Sequence, residues 1–210
     1  ANDSLVGIDF NDNLFGFLGD DTMNGGNGDD YLWGGDGNDV MDGGAGNDVF
    51  DPRSGNDIIS DTGTSIYDTD QLRLFGISAS QVLLTRQSGS NDLNVLITES
   101  SGLTRTVIVR NQFQDPSSGV GIEALNLHDD FWSDGDILSK TSTNGAVGND
   151  TLLGSASNDR IFGLDGNDSI SGAGGDDYFV GGSGSDTLNG GVGVDIASYV
   201  SASQAVVVDL

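Results

Sequence analysis

The sequence predicts an all-β fold, two short parallel β-rolls flanking a small β-rich insert, on three observations. A nine-residue period runs through residues 7–60 and returns in the same form through residues 145–198. Glycine is dense but periodic, 34 residues against 2 prolines, which argues for a built repeat and against low-complexity disorder. Between the runs the period vanishes and alternating apolar and polar residues of strand type replace it. The expected organisation is a first roll over 7–60, an intervening capping domain over 61–143, and a second roll with a closing strand over 144–210.

The repeat is clearest at 25–33 (GGNGDDYLW), 34–42 (GGDGNDVMD) and 43–51 (GGAGNDVFD), which share the pattern Gly-Gly-x-Gly-x-Asp-x-U-x with U a large apolar residue. It extends backward through 16–24 (GFLGDDTMN) and 7–15 (GIDFNDNLF), and forward through the degenerate 52–60 (PRSGNDIIS). The second run reads GAVGNDTLL, GSASNDRIF, GLDGNDSIS, GAGGDDYFV, GGSGSDTLN and GGVGVDIAS. A fixed short period of this kind is the signature of a solenoid in which each repeat supplies one turn and one short strand.

Glycines at positions one, two and four are expected to carry the turn through positive φ and to crowd its carbonyl oxygens together. These are Gly16, Gly19, Gly25, Gly26, Gly28, Gly34, Gly35, Gly37, Gly43, Gly44 and Gly46 in the first run. In the second they are Gly163, Gly166, Gly172, Gly175, Gly181, Gly182, Gly184, Gly190, Gly191 and Gly193. Position six adds a carboxylate: Asp12, Asp21, Asp30, Asp39, Asp48 and Asp57, then Asp150, Asp159, Asp168, Asp177, Asp186 and Asp195. Position eight should point inward as a core row, Leu14, Met23, Leu32, Met41, Phe50 and Ile59, then Leu152, Ile161, Ile170, Phe179, Leu188 and Ala197.

Two repeats make one coil, so each turn stacks on the turn two repeats later at about the 4.8 Å spacing of neighbouring strands. The aspartates then act in pairs eighteen residues apart, Asp12 with Asp30 and Asp21 with Asp39 in the first run, Asp150 with Asp168 and Asp159 with Asp177 in the second, and so on along each row. Carbonyls and carboxylates without nitrogen or sulfur form a donor set suited to calcium, up to about four ions per roll. One apolar row per run is thin cover for the backbone entropy of ordering the chain, and stacked carboxylates repel when bare. The rolls are therefore expected to fold on binding Ca2+.

The array resembles the RTX (repeats-in-toxin, haemolysin-type) calcium-binding repeats over about half the chain. The resemblance implies a calcium-stabilised parallel β-roll on a bacterial protein secreted by a type I pathway, extracellular or at the cell surface, folding after export from a low-calcium cytoplasm. Phe10 and Ser157 replace the third glycine of their turns and Pro52 opens a turn that keeps only Gly55, so weaker edge sites are expected there. The stretch 70–110 is similar to the short domain that commonly interrupts haemolysin-type repeats, and 195–210 to the strand that closes such arrays. Strands are expected near 71–75, 82–86, 93–98, 106–110 and 122–127. Asp57, Asp61, Asp68 and Asp70 offer one further calcium site where the first roll ends, against the commoner reading of solvated loop carboxylates.

Charge narrows the partners. Against 33 acidic residues there are 7 Lys and Arg, a formal charge of −26, which repels nucleic acid and anionic membrane surfaces alike. No apolar run approaches the length of a membrane span, and the absence of cysteine removes disulfides and thiolate metal sites. No enzymatic role is expected: the single histidine, His128, has no partner histidine, and neither HExxH nor GxSxG occurs. An ice-binding face would need a threonine row, which position three (Asp9, Leu18, Asn27, Asp36) does not provide. A polysaccharide or surface partner is the competing reading, resting on Arg73, Arg86, Arg105, Arg110 and Lys140 with Tyr31, Trp33, Trp132 and Tyr178 as stacking faces. The chain is expected to be a piece of a longer protein whose neighbouring domains it stabilises or positions.

Overall fold

The computed structural model describes residues 1–63, 65, 67–87, 90–112, 122–133, 136–137, 140–154, 158–199, 202 and 204–210. The chain divides into two compact units, residues 1–84 with 91–137, and residues 85–90 with 138–210. Each unit is a parallel β-solenoid.

Short strands recur through the first unit: β1 (Ser4–Val6), β2 (Asn13–Leu18), β3 (Thr22–Asn27), β4 (Tyr31–Asp36), β5 (Val40–Ala45), β6 (Val49–Ser54) and β7 (Asp57–Ser60). After the repeats come β8 (Gln71–Arg73), β9 (Val82–Gln87), β10 (Leu93–Thr98), β11 (Thr104–Val109), β12 (Ala124–Asn126) and β13 (Phe131–Ser133). Odd and even repeat strands go to opposite sheets, because one coil takes two repeats. In one sheet β1, β3, β5 and β7 pair in parallel, with Leu5, Met23, Met41 and Ile59 in register. In the other, β2, β4 and β6 align Leu14, Leu32 and Phe50. Met23, Leu32, Met41, Phe50 and Ile59 are fully buried between the sheets, with Leu14 packed against them at the open end. The inward row expected from position eight is thus the core of the first roll.

Both sheets run on past the last repeat. Val109 of β11 aligns with Ile59 of β7 in parallel, and β10 then pairs antiparallel with β11. On the other side Leu72 of β8 aligns with Phe50, Leu125 of β12 with Leu72, and Trp132 of β13 antiparallel with Leu125. The insert strands therefore cover the edges that β6 and β7 would otherwise expose to pairing with another chain. All five expected insert strands are present, but β8 and β12 are shorter than the sequence suggests. The Leu74 N–H makes the last bond to β12, to Asn126 O at 2.9 Å, and the backbone then turns away, the Leu74 carbonyl accepting the Ile77 N–H at 3.2 Å.

The second unit holds β14 (Ser142–Asn144), β15 (Thr151–Leu153), β16 (Arg160–Asp165), β17 (Ser169–Ser171), β18 (Tyr178–Ser183), β19 (Thr187–Asn189), β20 (Ile196–Ser198) and β21 (Val207–Asp209). Parallel pairing places Thr143, Ile161, Phe179 and Ala197 in one row, and Leu152, Ile170, Leu188 and Val208 in the other. Five of these are the unit's buried core: Leu152, Ile161, Ile170, Phe179 and Leu188. Thr85 to Gln87 of β9 pair with β14 and cover the first edge of this roll. β21 adds to β19 at the other end, in the closing role expected of the terminal segment.

Candidate metal centre

Each turn is held by its neighbours one coil away. Where a further repeat follows one coil on, the backbone N–H of a position-six aspartate donates to Oδ1 of the aspartate eighteen residues later: Asp12 to Asp30 at 2.7 Å, Asp21 to Asp39 at 2.9 Å, Asp30 to Asp48 at 2.8 Å and Asp39 to Asp57 at 2.9 Å. In the second run Asp150 donates to Asp168, Asp159 to Asp177, Asp168 to Asp186 and Asp177 to Asp195, at 2.8–3.0 Å. All twelve predicted aspartates thus fall on stacked rows, paired at the spacing of one coil.

In nine of the twelve, one carboxylate oxygen accepts a backbone N–H from the preceding coil and the other is left bare. Oδ2 of Asp21, Asp30, Asp39, Asp48, Asp57, Asp168, Asp177, Asp186 and Asp195 is buried with no hydrogen-bond partner. A buried carboxylate oxygen without a donor costs free energy that only a cation or a proton relieves. Burial raises the carboxyls of Asp30, Asp39, Asp168 and Asp177 above their ordinary range. It pushes Asp48 up to about 6 and Asp57 to about 7, with the like charge of the preceding aspartate adding to the rise. The two opening turns differ. Oδ2 of Asp12 accepts the Ile8 N–H, and Oδ2 of Asp150 accepts the Ala146 N–H, both at 2.7 Å, so these carboxylates bend back onto their own turns.

The glycines divide into two kinds. Those at position two (Gly26, Gly35, Gly44, Gly182, Gly191) and position four (Gly19, Gly28, Gly37, Gly46, Gly166, Gly175, Gly184, Gly193) have positive φ, as expected for the turn. Position one does not: Gly16, Gly25, Gly34, Gly43, Gly163, Gly172, Gly181 and Gly190 keep negative or extended φ. Their requirement is space. A Cβ on Gly25 would run into Asp30 Oδ2 and lie 2.5 Å from Gly43 O, the carbonyl one coil on. On Gly34 it would run into Asp39 Oδ2 and lie 2.9 Å from Pro52 O, so Pro52 still supplies the carbonyl that a glycine would. Position one is therefore where a carboxylate oxygen and a carbonyl oxygen from successive coils converge. Phe17, Arg53, Leu164 and Ala173 occupy position two with positive φ despite their side chains. Ser157 lies outside the described residues.

Sequence reading missed position five. There Oδ1 accepts the backbone N–H of the residue one coil later: Asn38 donates to Asp20 at 2.8 Å, Asn56 to Asn38 at 2.9 Å and Asn47 to Asp29 at 2.9 Å. Asn167 to Asn149 and Asp176 to Asn158, each at 2.8 Å, repeat this in the second run. The signal was present as an Asn or Asp at nearly every position five.

Oxygen-only donors, bare buried carboxylate oxygens and a space that a Cβ would fill fit calcium, a hard cation that takes six to eight oxygens at about 2.3–2.6 Å. A family model described as the RTX calcium-binding nonapeptide repeat matches four times, over residues 1–32, 24–59, 144–179 and 171–197. The chain belongs to the RTX repeat family. Among solved structures, this RTX chain is similar to the AlgE6R3 subunit from the Azotobacter vinelandii mannuronan C5-epimerase, at 23% identity and a TM-score of 0.28, covering 49% of this chain and 71% of that one. No curated protein matches it. In an RTX roll the position-six aspartates and the turn carbonyls would hold the ions, which supply positive charge between coils.

Proposed function

We propose that this chain is a non-catalytic calcium-triggered folding module of a secreted bacterial protein, exported through a type I pathway and folding in the calcium-rich medium outside. The observation that carries this reading is the line of buried, unpartnered Oδ2 atoms through both rolls. Bare, they oppose folding through desolvation and mutual repulsion; with calcium between the coils they become the contacts that hold the stack. Folded, the module stiffens the chain and positions neighbouring domains. Calcium titrated into chelator-treated protein should give a cooperative gain of β signal in far-UV circular dichroism, absent with magnesium. A chain equally folded without calcium would sink the reading.

A second reading, binding of an anionic polysaccharide, is favoured by one surface of the first unit. Phe15 and Phe17 pack edge to face or tilted against Tyr31 and Trp33 on the outer side of β2 and β4. Arg53 lies over Trp33 and Phe75, and Arg73 over Tyr31. Aromatic faces with guanidinium groups suit sugar rings that carry carboxylates. Within the same unit, three other groups expected to contribute are engaged with their own neighbours. Arg105 is buried beside Glu99, Arg110 pairs with Asp92, and Trp132 is buried with its Nε1–H on Asp130. Retention on a polygalacturonate column that Trp33→Ala abolishes would support this reading; equal retention of both proteins would remove it.

A further inference from the structure

We propose a further calcium site beyond the last repeat, where the first roll hands over to the insert, in which Asp61 and Asp70 from outside the repeats join the position-six Asp48. Each offers a carboxylate oxygen, and these oxygens lie within 4.8 Å of one another. All three residues are buried, at 0%, 3% and 1% exposure. Each is anchored through Oδ1 to a backbone N–H: Asp48 to Asp30 at 2.8 Å, Asp61 to Gly63 at 3.2 Å, Asp70 to Asp48 at 2.7 Å. Each presents an Oδ2 with no hydrogen-bond partner. The charges facing Asp61 and Asp70 come from one another's neighbourhood, Asp48, Asp42 and Glu123, and all carry the same sign. Three buried carboxylates anchored on one oxygen and bare on the other, in an anionic surround, form a seat for a divalent cation, and an oxygen-only set selects calcium over zinc.

The register explains how the site arises. Counting in nines from Gly43 reaches Asp61, so Asp61 stands at position one, where the roll elsewhere carries glycine or Pro52. Asp70 then takes the place in the aspartate row one coil beyond Asp48, at a spacing of 22 residues instead of 18. A bound ion would close the excursion from 61 to 70 and fasten the first insert strand to the last coil. Of the four aspartates singled out in the sequence, Asp61 and Asp70 belong to this site. Asp57 lies on the other row, and Asp68 accepts the Gly46 N–H at 3.3 Å.

The test is an ion count on the full chain by native mass spectrometry in saturating calcium chloride. Asp61→Asn keeps the acceptor for Gly63 and removes one negative charge from outside the position-six row. The expected result is one calcium fewer per chain than wild type with an unchanged far-UV spectrum; an unchanged count overturns the proposal. Should Asp61→Asn fail to fold, long-wavelength anomalous scattering from wild-type crystals grown with calcium decides. A peak among Asp48, Asp61 and Asp70 supports the site. Occupied turns with no peak there overturn it while leaving calcium-triggered folding intact, whereas no bound calcium anywhere would count against both.

Discussion

Asn38 stands where the repeat pattern admits any residue, yet its Oδ1 receives the Asn56 N–H and its own N–H goes to Asp20. Asn38→Ala should cost about 1 kcal/mol in urea denaturation of the calcium form, whereas Asn38→Asp, which keeps the acceptor, should stay within about 0.5 kcal/mol. The position-one glycines set a sharper test. Gly25→Ala puts a methyl between Asp30 Oδ2 and Gly43 O and should raise the calcium midpoint of folding about tenfold, equivalent to about 1.4 kcal/mol. Gly102→Ala has positive φ, +84°, but meets no atom within 4 Å, so it should cost about 1 kcal/mol of stability with the calcium count unchanged. Among the aspartates, Asp39 bonds to a coil on each side, while Asp57 is the last repeat aspartate of its row. Asp39→Ala should therefore lose two bound ions and Asp57→Ala one, read by native mass spectrometry; equal losses would contradict stacking in pairs.

Strands of this roll are too short to stand alone, and their stability comes from the row each adds to. Phe50 is fully buried at the centre of its row, so Phe50→Ala should destabilise the calcium-loaded fold by about 3–5 kcal/mol, measured by thermal or urea unfolding. Leu72 continues that row in β8, outside the repeats. If β8 is a working strand of the roll, Leu72→Ala should raise the calcium midpoint of folding as Leu32→Ala does. An insert that folded on its own would leave that midpoint in place. Element by element, the repeat strands were legible because position eight recurs every nine residues. The ends of β8 and β12 were not, because Leu74 and Asn126 meet across 52 residues and nothing in the local pattern announces their bond.

At the scale of the whole molecule, charge and fold oppose each other until a cation intervenes. The carboxyls of Asp48 and Asp57 hold their protons more tightly in the folded chain than in the unfolded one, at about 6 and 7 against an ordinary 3.8. Stability from this source is complete below about 3.8 and is lost as pH rises through 6 to 7. The metal-free protein should therefore gain β structure on acidification to about pH 4 and lose it toward pH 8, while saturating calcium should remove that loss at neutral pH. Circular dichroism across this range, with and without chelator, checks both arms. What the sequence by itself determined is the repeat: coil, turn, inward row and paired aspartates. Each of these depends on a contact between copies eighteen residues apart, and a local period states such contacts outright. What only the tertiary structure decided is how the period survives its interruption. The aspartate row passes from Asp48 to Asp70, whose N–H donates to Glu123 at 2.7 Å, over spacings of 22 and 53 residues. Chain inserted between coils leaves the stacking geometry unchanged while erasing the sequence period, so those partners become visible only once the backbone has closed on itself.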